Sequence, residues 1–366
     1  MLKETPKPVC EAIADMRVPR RRNSKILYRQ RRAKYSPNPK GIPAGVIGMG
    51  LMGTSIAACL LAAGHPVTGV ESDASKRRSA RGRLLALLEG SRKEGLLKSA
   101  PSKIVRQFAT GEDLSVLAES QIVIESVSED LDVKRGVIRE VEETVSSDTV
   151  IGSNTSAIPI TDLQRGALHP RRILGIHWGE PAHILRFMEI ICGDETGPEY
   201  AERAMALARR WGKEPSLLRR DVRGFITNRC MYALLREAFH LVESGYAKIE
   251  DVDRSLRNDF GYWITFAGPF RYMDLTGIPA YAAVMKDLFP ELNCAREVPS
   301  LMRRLVSSGA RGVSNARGFY RYTPAQARRW EKLFLKFSYE IRALAQKYPE
   351  DAGDDPARTS GGPPSA

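Results

Sequence analysis

The chain has 366 residues, 43% apolar and 27% charged, which suits two globular domains with real cores and excludes wholesale disorder or a collagen-like repeat. The formal charge of +13 gathers at one end, where residues 1–40 carry 12 Lys and Arg against 3 acids, so the body need not bind a polyanion and no nucleic-acid role is expected of it. Five cysteines, odd in number and never in a C-x-x-C pair, argue against a disulfide scaffold or a zinc ribbon. They suit a reducing compartment, the cytoplasm or, in a eukaryote, the mitochondrial matrix, and no metal site is expected.

Residues 1–40 hold the runs Arg20–Arg22 and Arg31-Arg32 but no apolar stretch of the kind a secretory signal needs. Glu4, Glu11 and Asp15 fit a mitochondrial presequence poorly, so the segment reads as a solvated, disordered basic extension. Residues 45–70 carry no charge before Glu71 apart from His65, which superficially resembles a membrane span. Glycines at 45, 48, 50, 53 and 64 divide it instead into a strand, a tight turn, a buried helix over 52–63 and a second strand over 66–70.

The turn is Gly48-Met49-Gly50-Leu51-Met52-Gly53, a G-x-G-x-x-G set between strand and helix. The first glycine permits the turn, the second lets backbone approach a pyrophosphate, and the third allows helix and strand to pack closely. The six residues are therefore expected to bind a dinucleotide through amides at the helix N-terminus. Glu71 follows the second strand about where a carboxylate takes the adenosine ribose hydroxyls, and an acid there favours NAD over NADP. The alternative is that Glu71 merely caps the next helix.

Residues 74–97 form a long basic helical stretch, broken at Gly90, that interrupts the β-α-β rhythm like an inserted helical hairpin. Lys76, Arg77, Arg78, Arg81 and Arg83 are either a solvated face or an anchor for a phosphorylated substrate handle such as that of coenzyme A. A strand over 120–125, a helix over 134–145 and a strand over 149–152 continue the alternation. Two more strands follow, 172–178 ending in His177-Trp178 and 186–192 with Glu189 in its middle. A buried carboxylate needs a partner, and side-chain alternation places Arg186 on the opposite face. A histidine on the neighbouring strand answers that need and makes a general base; the alternative is a satisfied histidine and a different cation for Glu189.

These residues, with Ser153-Asn154-Thr155-Ser156, His169-Pro170-Arg171-Arg172 and Gly224-Phe225-Ile226-Thr227-Asn228-Arg229, recur in order and resemble the L-3-hydroxyacyl-CoA dehydrogenase family, including its 3-hydroxybutyryl-CoA members, over about residues 44–322. The resemblance implies a Rossmann-like α/β N-terminal domain with an inserted helical hairpin, plus a mainly α-helical C-terminal domain that forms a homodimer. It implies an NAD-dependent interconversion of (S)-3-hydroxyacyl-CoA and 3-oxoacyl-CoA, with His177 as catalytic base held by Glu189. Ser156 and Asn228 would hydrogen-bond the reacting oxygens, while Glu125 and Asp130, with Ser156, line the cofactor path.

On this reading residues 41–220 bind NAD, 221–345 form the helical substrate and dimerisation domain, and 346–366 are a disordered tail. Within the helical part, helices are expected over 224–245 and 248–257 and after Gly268-Pro269. Three positions depart from the family: Glu180 where Asn is common, Arg223 where Pro is common, and Ser314 in place of a threonine-glycine stretch. They leave open a free 3-hydroxy acid as substrate, as in L-gulonate 3-dehydrogenases, or a non-catalytic NAD-binding protein.

Overall fold

The computed structural model describes residues 41–348. The basic extension, 1–40, and the expected tail from residue 349 onward lie outside the described residues.

The first half alternates strand and helix as β1 (Ala44–Ile47), α1 (Leu51–Ala62), β2 (Val67–Val70), α2 (Ala74–Lys93), α3 (Pro101–Ile104), β3 (Phe108–Gly111), β4 (Ile122–Glu125), α4 (Leu131–Thr144), β5 (Val150–Ser153) and α5 (Ile160–Gln164). It closes with β6 (Ile173–Trp178), β7 (Phe187–Cys192), α6 (Pro198–Arg210) and β8 (Glu214–Leu218). One eight-stranded sheet results, in the order β3-β2-β1-β4-β5-β6-β7-β8. Neighbouring strands are parallel except β6 and β7, which are antiparallel and set Gly175 against Ile191 and His177 against Glu189. The chain order reverses direction between β1 and β4, and in doubly wound sheets the crevice at that point, beyond the strands' C-terminal ends, takes the ligand.

The core lies on both faces of the sheet. Ile56, Leu60, Leu84, Leu88 and Trp178 fill one side, under α1 and α2, while Ile138, Val141, Ile160 and Leu163 fill the other. Burial on both faces is why β4 and β5 are continuous apolar runs rather than alternating ones.

The insertion departs from its expected form. Gly90 does not break α2, which runs on to Lys93. An isolated helical glycine costs only about 1 kcal/mol, and here Asp73 caps the helix while Leu84, Leu88 and Ser91 bury its inner stripe. The returning arm of the hairpin is a single turn, α3.

The second half is helical: α7 (Thr227–Glu243), α8 (Ile249–Asn258), α9 (Phe260–Ile264), α10 (Pro269–Thr276), α11 (Ile278–Leu288), α12 (Ser300–Ser307) and α13 (Pro324–Ala345). Among α7 to α12, Val252 alone is buried. In contrast, α13 packs back onto the first half. Its Tyr339 lies against Gly90, and Arg342 donates to the carbonyls of Ile184 and Gly212. No described helix is long and apolar enough to cross a membrane.

A methyl group on Gly53 would lie 1.8 Å from the Gly48 carbonyl oxygen, a backbone atom that cannot step aside. Gly53→Ala is expected to lower the unfolding free energy by about 1–3 kcal/mol, measured by urea denaturation, and to weaken NADH binding in a fluorescence titration.

Candidate active site

The glycine turn divides its tasks as the motif requires. Gly48 has φ +85°, and a Cβ there would lie 2.6 Å from the Ser126 carbonyl oxygen. Gly50 differs, because a Cβ added to it meets nothing within 4 Å. It is also the N-cap of α1 and supplies no side-chain hydrogen bond to the helix, so the amides of Leu51, Met52 and Gly53 begin the helix without a side-chain cap. An open concave backbone at an uncapped helix N-terminus fits a pyrophosphate.

Met49 has a different role. Its side chain is fully buried against Gly69, its amide donates to Glu71 Oε2 at 3.0 Å, and its carbonyl accepts from Thr54 Oγ1 and Arg83. Glu71 Oε1 accepts the Asp73 amide at 3.1 Å, so the carboxylate braces the turn from behind. It does not cap α2; Asp73 does. Each Glu71 oxygen accepts one backbone bond and keeps a lone pair for a ribose hydroxyl.

The basic cluster on α2 is partly taken up by the fold. Arg77 donates to the carbonyls of Glu71 and Ser72 and pairs with Glu112 at 2.8 Å. Arg81 holds the carbonyls of Val105 and Phe108, and Arg83 those of Met49 and Lys76. Lys76 and Arg78 are exposed.

At the C-terminal ends of β4 and β5, Glu125 is enclosed. Its Oε1 accepts from Lys134 Nζ at 2.7 Å and from the Val127 amide, and its Oε2 accepts from Ser153 Oγ at 2.5 Å. Both charges of the Glu125–Lys134 pair are 1% exposed, and both carboxylate oxygens are taken up by groups of the chain itself. Asp130 caps α4 through the amides of Asp132 and Val133.

Lys134 also reaches Glu129 at 3.3 Å, whose Oε1 gathers Thr155 Oγ1 and the amides of Ser156 and Ala157. Burial pushes the Glu129 carboxyl up, but Thr155, Lys134 and the two amides outweigh it and hold the group below its ordinary value. The result is a fixed loop that presents the exposed Ser156, to whose carbonyl Asn228 Nδ2 donates at 2.9 Å. Asn154 Oδ1 accepts the Trp178 amide at 3.0 Å and ties this loop to the end of β6.

At that end stands His177. Its Nδ1 is 2.8 Å from Glu189 Oε2 on the facing strand. Glu189 is fully buried, and its other oxygen accepts the amides of Ile226 and Thr227 at 3.1 and 3.0 Å, at the start of α7. Burial pushes the Glu189 carboxyl up, while His177 and these amides pull harder and leave it below its ordinary value. Arg186 points away and pairs with Glu214. The rings of Phe187 and Phe225 lie 5.5 and 5.7 Å from the imidazole, and with Nδ1 engaged the remaining polar atom is Nε2.

Of the three departing positions, Glu180 and Arg223 are exposed, and the Ser314 hydroxyl donates to the Arg311 carbonyl. The loop after Glu180 is pinned by Lys213, which donates to the carbonyls of Ala182 and Leu185, and by Ser55, which is 2.8 Å from His183 Nδ1. Burial, with Lys213 and Arg342 nearby, lowers the His183 pKa to about 4.

The comparisons agree with this architecture. Residues 43–222 match the model of the 3-hydroxyacyl-CoA dehydrogenase NAD-binding domain, and residues 224–322 that of the same family's C-terminal domain. The 5-formyl-3-hydroxy-2-methylpyridine 4-carboxylate 5-dehydrogenase of Mesorhizobium japonicum is 33% identical over 284 residues, 77% of this chain and 91% of that protein. A 3-hydroxybutyryl-CoA dehydrogenase of Mycobacterium tuberculosis is 31% identical over 281 residues, 76% of this chain and 97% of that one. A solved structure of a 5-formyl-3-hydroxy-2-methylpyridine 4-carboxylic acid 5-dehydrogenase, described as an NAD+-dependent dismutase, superposes with a TM-score of 0.79 at 30% identity, covering 84% of this chain and 100% of that one.

Replacing Lys134 by Met leaves the Glu125 charge buried and unpaired, and should cost about 3–5 kcal/mol of stability, read from urea unfolding. Glu129 and Glu189 titrate below the ordinary 4.5, so the stability they contribute is present at neutral pH and is lost as pH falls through the carboxylate range. Urea midpoints followed from neutral to acid pH should fall in that window, and less steeply in Glu189→Gln.

Proposed function

The chain belongs to the 3-hydroxyacyl-CoA dehydrogenase family, whose members are NAD-dependent oxidoreductases acting on CH–OH groups, and on that premise we propose that His177 and Glu189 are the acid–base pair of its hydride transfer. The observation that carries the reading is the 2.8 Å contact between His177 Nδ1 and a carboxylate sealed from water.

In the oxidising direction His177 Nε2 takes the hydroxyl proton of the substrate, and Glu189 supports the imidazolium that forms. NAD, when bound, supplies the acceptor for the hydride. The first-turn amides of α1 hold its pyrophosphate and Glu71 its adenosine ribose. Ser156, through its free hydroxyl, and Asn228, through its second amide hydrogen, donate to the substrate oxygen as charge develops there. Fixed dipoles do this without reorganising.

The substrate we assign is a 3-hydroxyacyl-CoA thioester, supported by the family and by the similarity to a 3-hydroxybutyryl-CoA dehydrogenase. Lys76 and Arg78 are the cations of the α2 cluster left to meet its phosphates. A free carboxylic acid is the second reading. It is favoured by the superposition on an enzyme named for a pyridine carboxylate, and by Arg223, exposed on the turn that holds Glu189. The helical half is assigned to a homodimer interface, supported by the exposure of Phe266, Phe270, Leu275 and Ile278. Free cysteines at 59, 192, 230 and 294 suit a cytoplasmic setting.

His177→Ala is expected to lower kcat by about 10²–10⁴-fold while NADH still binds; undiminished turnover would remove His177 from the chemistry, whereas a parent protein that binds NADH but turns over no substrate would favour a non-catalytic NAD-binding protein. NADH consumption with acetoacetyl-CoA against free 3-oxo acids decides the substrate, since reduction of the free acids alone would dismiss the thioester. Light scattering on the purified protein should return twice the chain mass; a monomer would dismiss the dimer.

A further inference from the structure

The turn that joins β8 to α7 has an unusual backbone. Phe225 has φ +52°, a left-handed conformation that bulky residues seldom adopt, and it follows Gly224 at φ +82°. Such conformations persist where surrounding structure enforces them, and they gather at functional sites. Here the enforcement is visible. The Phe225 amide donates to the Val222 carbonyl at 2.9 Å, and Asp221 Oδ2 accepts the Thr161 amide at 2.6 Å, which closes the base of the turn and ties it to α5.

Ile226 then returns to the right-handed region, at φ −85° and ψ −62°. Left-handed and right-handed residues in succession turn their amides into a concavity that holds an anion. The anion is Glu189 Oε1, which receives Ile226 and Thr227. The side chain of Phe225 is held as firmly in place as its backbone. It is fully buried, and its ring is tilted 56° to the imidazole of His177 at 5.7 Å.

We propose that Phe225 is a positioning residue for the acid–base pair: its left-handed backbone aims two amides at Glu189, and its ring fixes the plane of His177 so that Nε2 faces the reacting hydroxyl. This inference rests on the reading of His177 and Glu189 as that pair. The turn is also where the two family segments meet, one ending at residue 222 and the next beginning at 224. The pair is therefore assembled from both segments, with β6 and β7 giving the side chains and the start of α7 giving the donors. Against Glu189 the titratable group is His177, from β6; β8 places Ser216 beside it in register, and α7 contributes amides.

Two variants separate the backbone role from the ring. Phe225→Val stays apolar, but its β-branch disfavours the left-handed region. Phe225→Gly accepts that region and removes the ring. In Phe225→Val, kcat should fall by about tenfold or more with KM for NAD changed less than about twofold. The acid limb of its pH profile of kcat/KM for oxidation should move to higher pH, because a carboxylate deprived of two amide donors holds the shared proton more tightly.

Phe225→Gly should lose kcat while its acid limb stays in place. A Phe225→Val profile matching the parent, or a Phe225→Gly limb that moves as far as that of Phe225→Val, overturns the proposal. NADH binding by fluorescence reports whether each variant is folded. Should Phe225→Val not fold, Phe225→Leu, unbranched at Cβ, takes the ring alone and is read like Phe225→Gly: a moved limb overturns the proposal and a fixed limb with lowered kcat supports it. An active His177→Ala would sink the acid–base reading itself, whereas an inactive His177→Ala beside a parent-like Phe225→Val sinks only the role of Phe225.

Discussion

A carboxylate inside a sheet has to be answered at both of its oxygens, and Glu189 is answered by two elements, β6 and the start of α7. An unpaired buried charge is penalised by several kcal/mol, more than the margin most single contacts provide. One oxygen meets the histidine of the facing strand and the other meets the first amides of α7. The antiparallel pairing of β6 with β7 puts the two side chains in register, and a slip of one residue would turn Glu189 to the opposite face. The strand pairing, the start of the helical half and the orientation of the imidazole are thus consequences of one desolvated charge.

A second buried charge lies at the end of β4. Glu125 ends β4 and would be as costly as Glu189 without Lys134, which enters from the first turn of α4. Lys134 does more than neutralise. Through Glu129 it extends to the loop after β5, where one carboxylate oxygen gathers a hydroxyl and two amides and sets the place of Ser156. The two networks are joined by Asn228, which stands on α7 and bonds the Ser156 carbonyl. Polar groups that fully satisfy one another in this way specify a single arrangement rather than many.

Much of this was legible in the residues. The glycine spacing located the nucleotide turn, and an acid in an apolar strand announced a need for a partner that His177 meets. Other features left no local signal. β8 contains Pro215 and alternates half-buried with exposed positions, which reads as a loop until β7 pairs with it as an edge strand. Lys134 looks like any helical surface lysine, because its burial depends on Glu125, nine residues away and one element earlier. Arg77, Arg81 and Arg83 look like a solvated or ligand-binding face, yet they hold backbone carbonyls, of Glu71, Val105, Phe108 and Met49, that only the fold brings near. Gly90 reads as a break because helix propensity is local, whereas the stripe buried by α2 and the contact with Tyr339 are not. The left-handed Phe225 was invisible for the same reason, since a phenylalanine gives no cue to a positive φ.

The two halves of the described chain are unevenly buried. In the sheet half, buried clusters cover both faces of the sheet, so the nucleotide turn, Glu125 and the His177–Glu189 pair stand on a packed base. In the helical half, Tyr262, Phe270, Ile278 and Phe289 are exposed in the single chain, the apolar face that the proposed homodimer would cover. The departures Glu180 and Arg223 are exposed and take no part in the hydrogen bonds of the pair. On the proposed reading, the groups that hold the histidine, on β7 and at the start of α7, are different residues from those that would meet the distal end of a substrate.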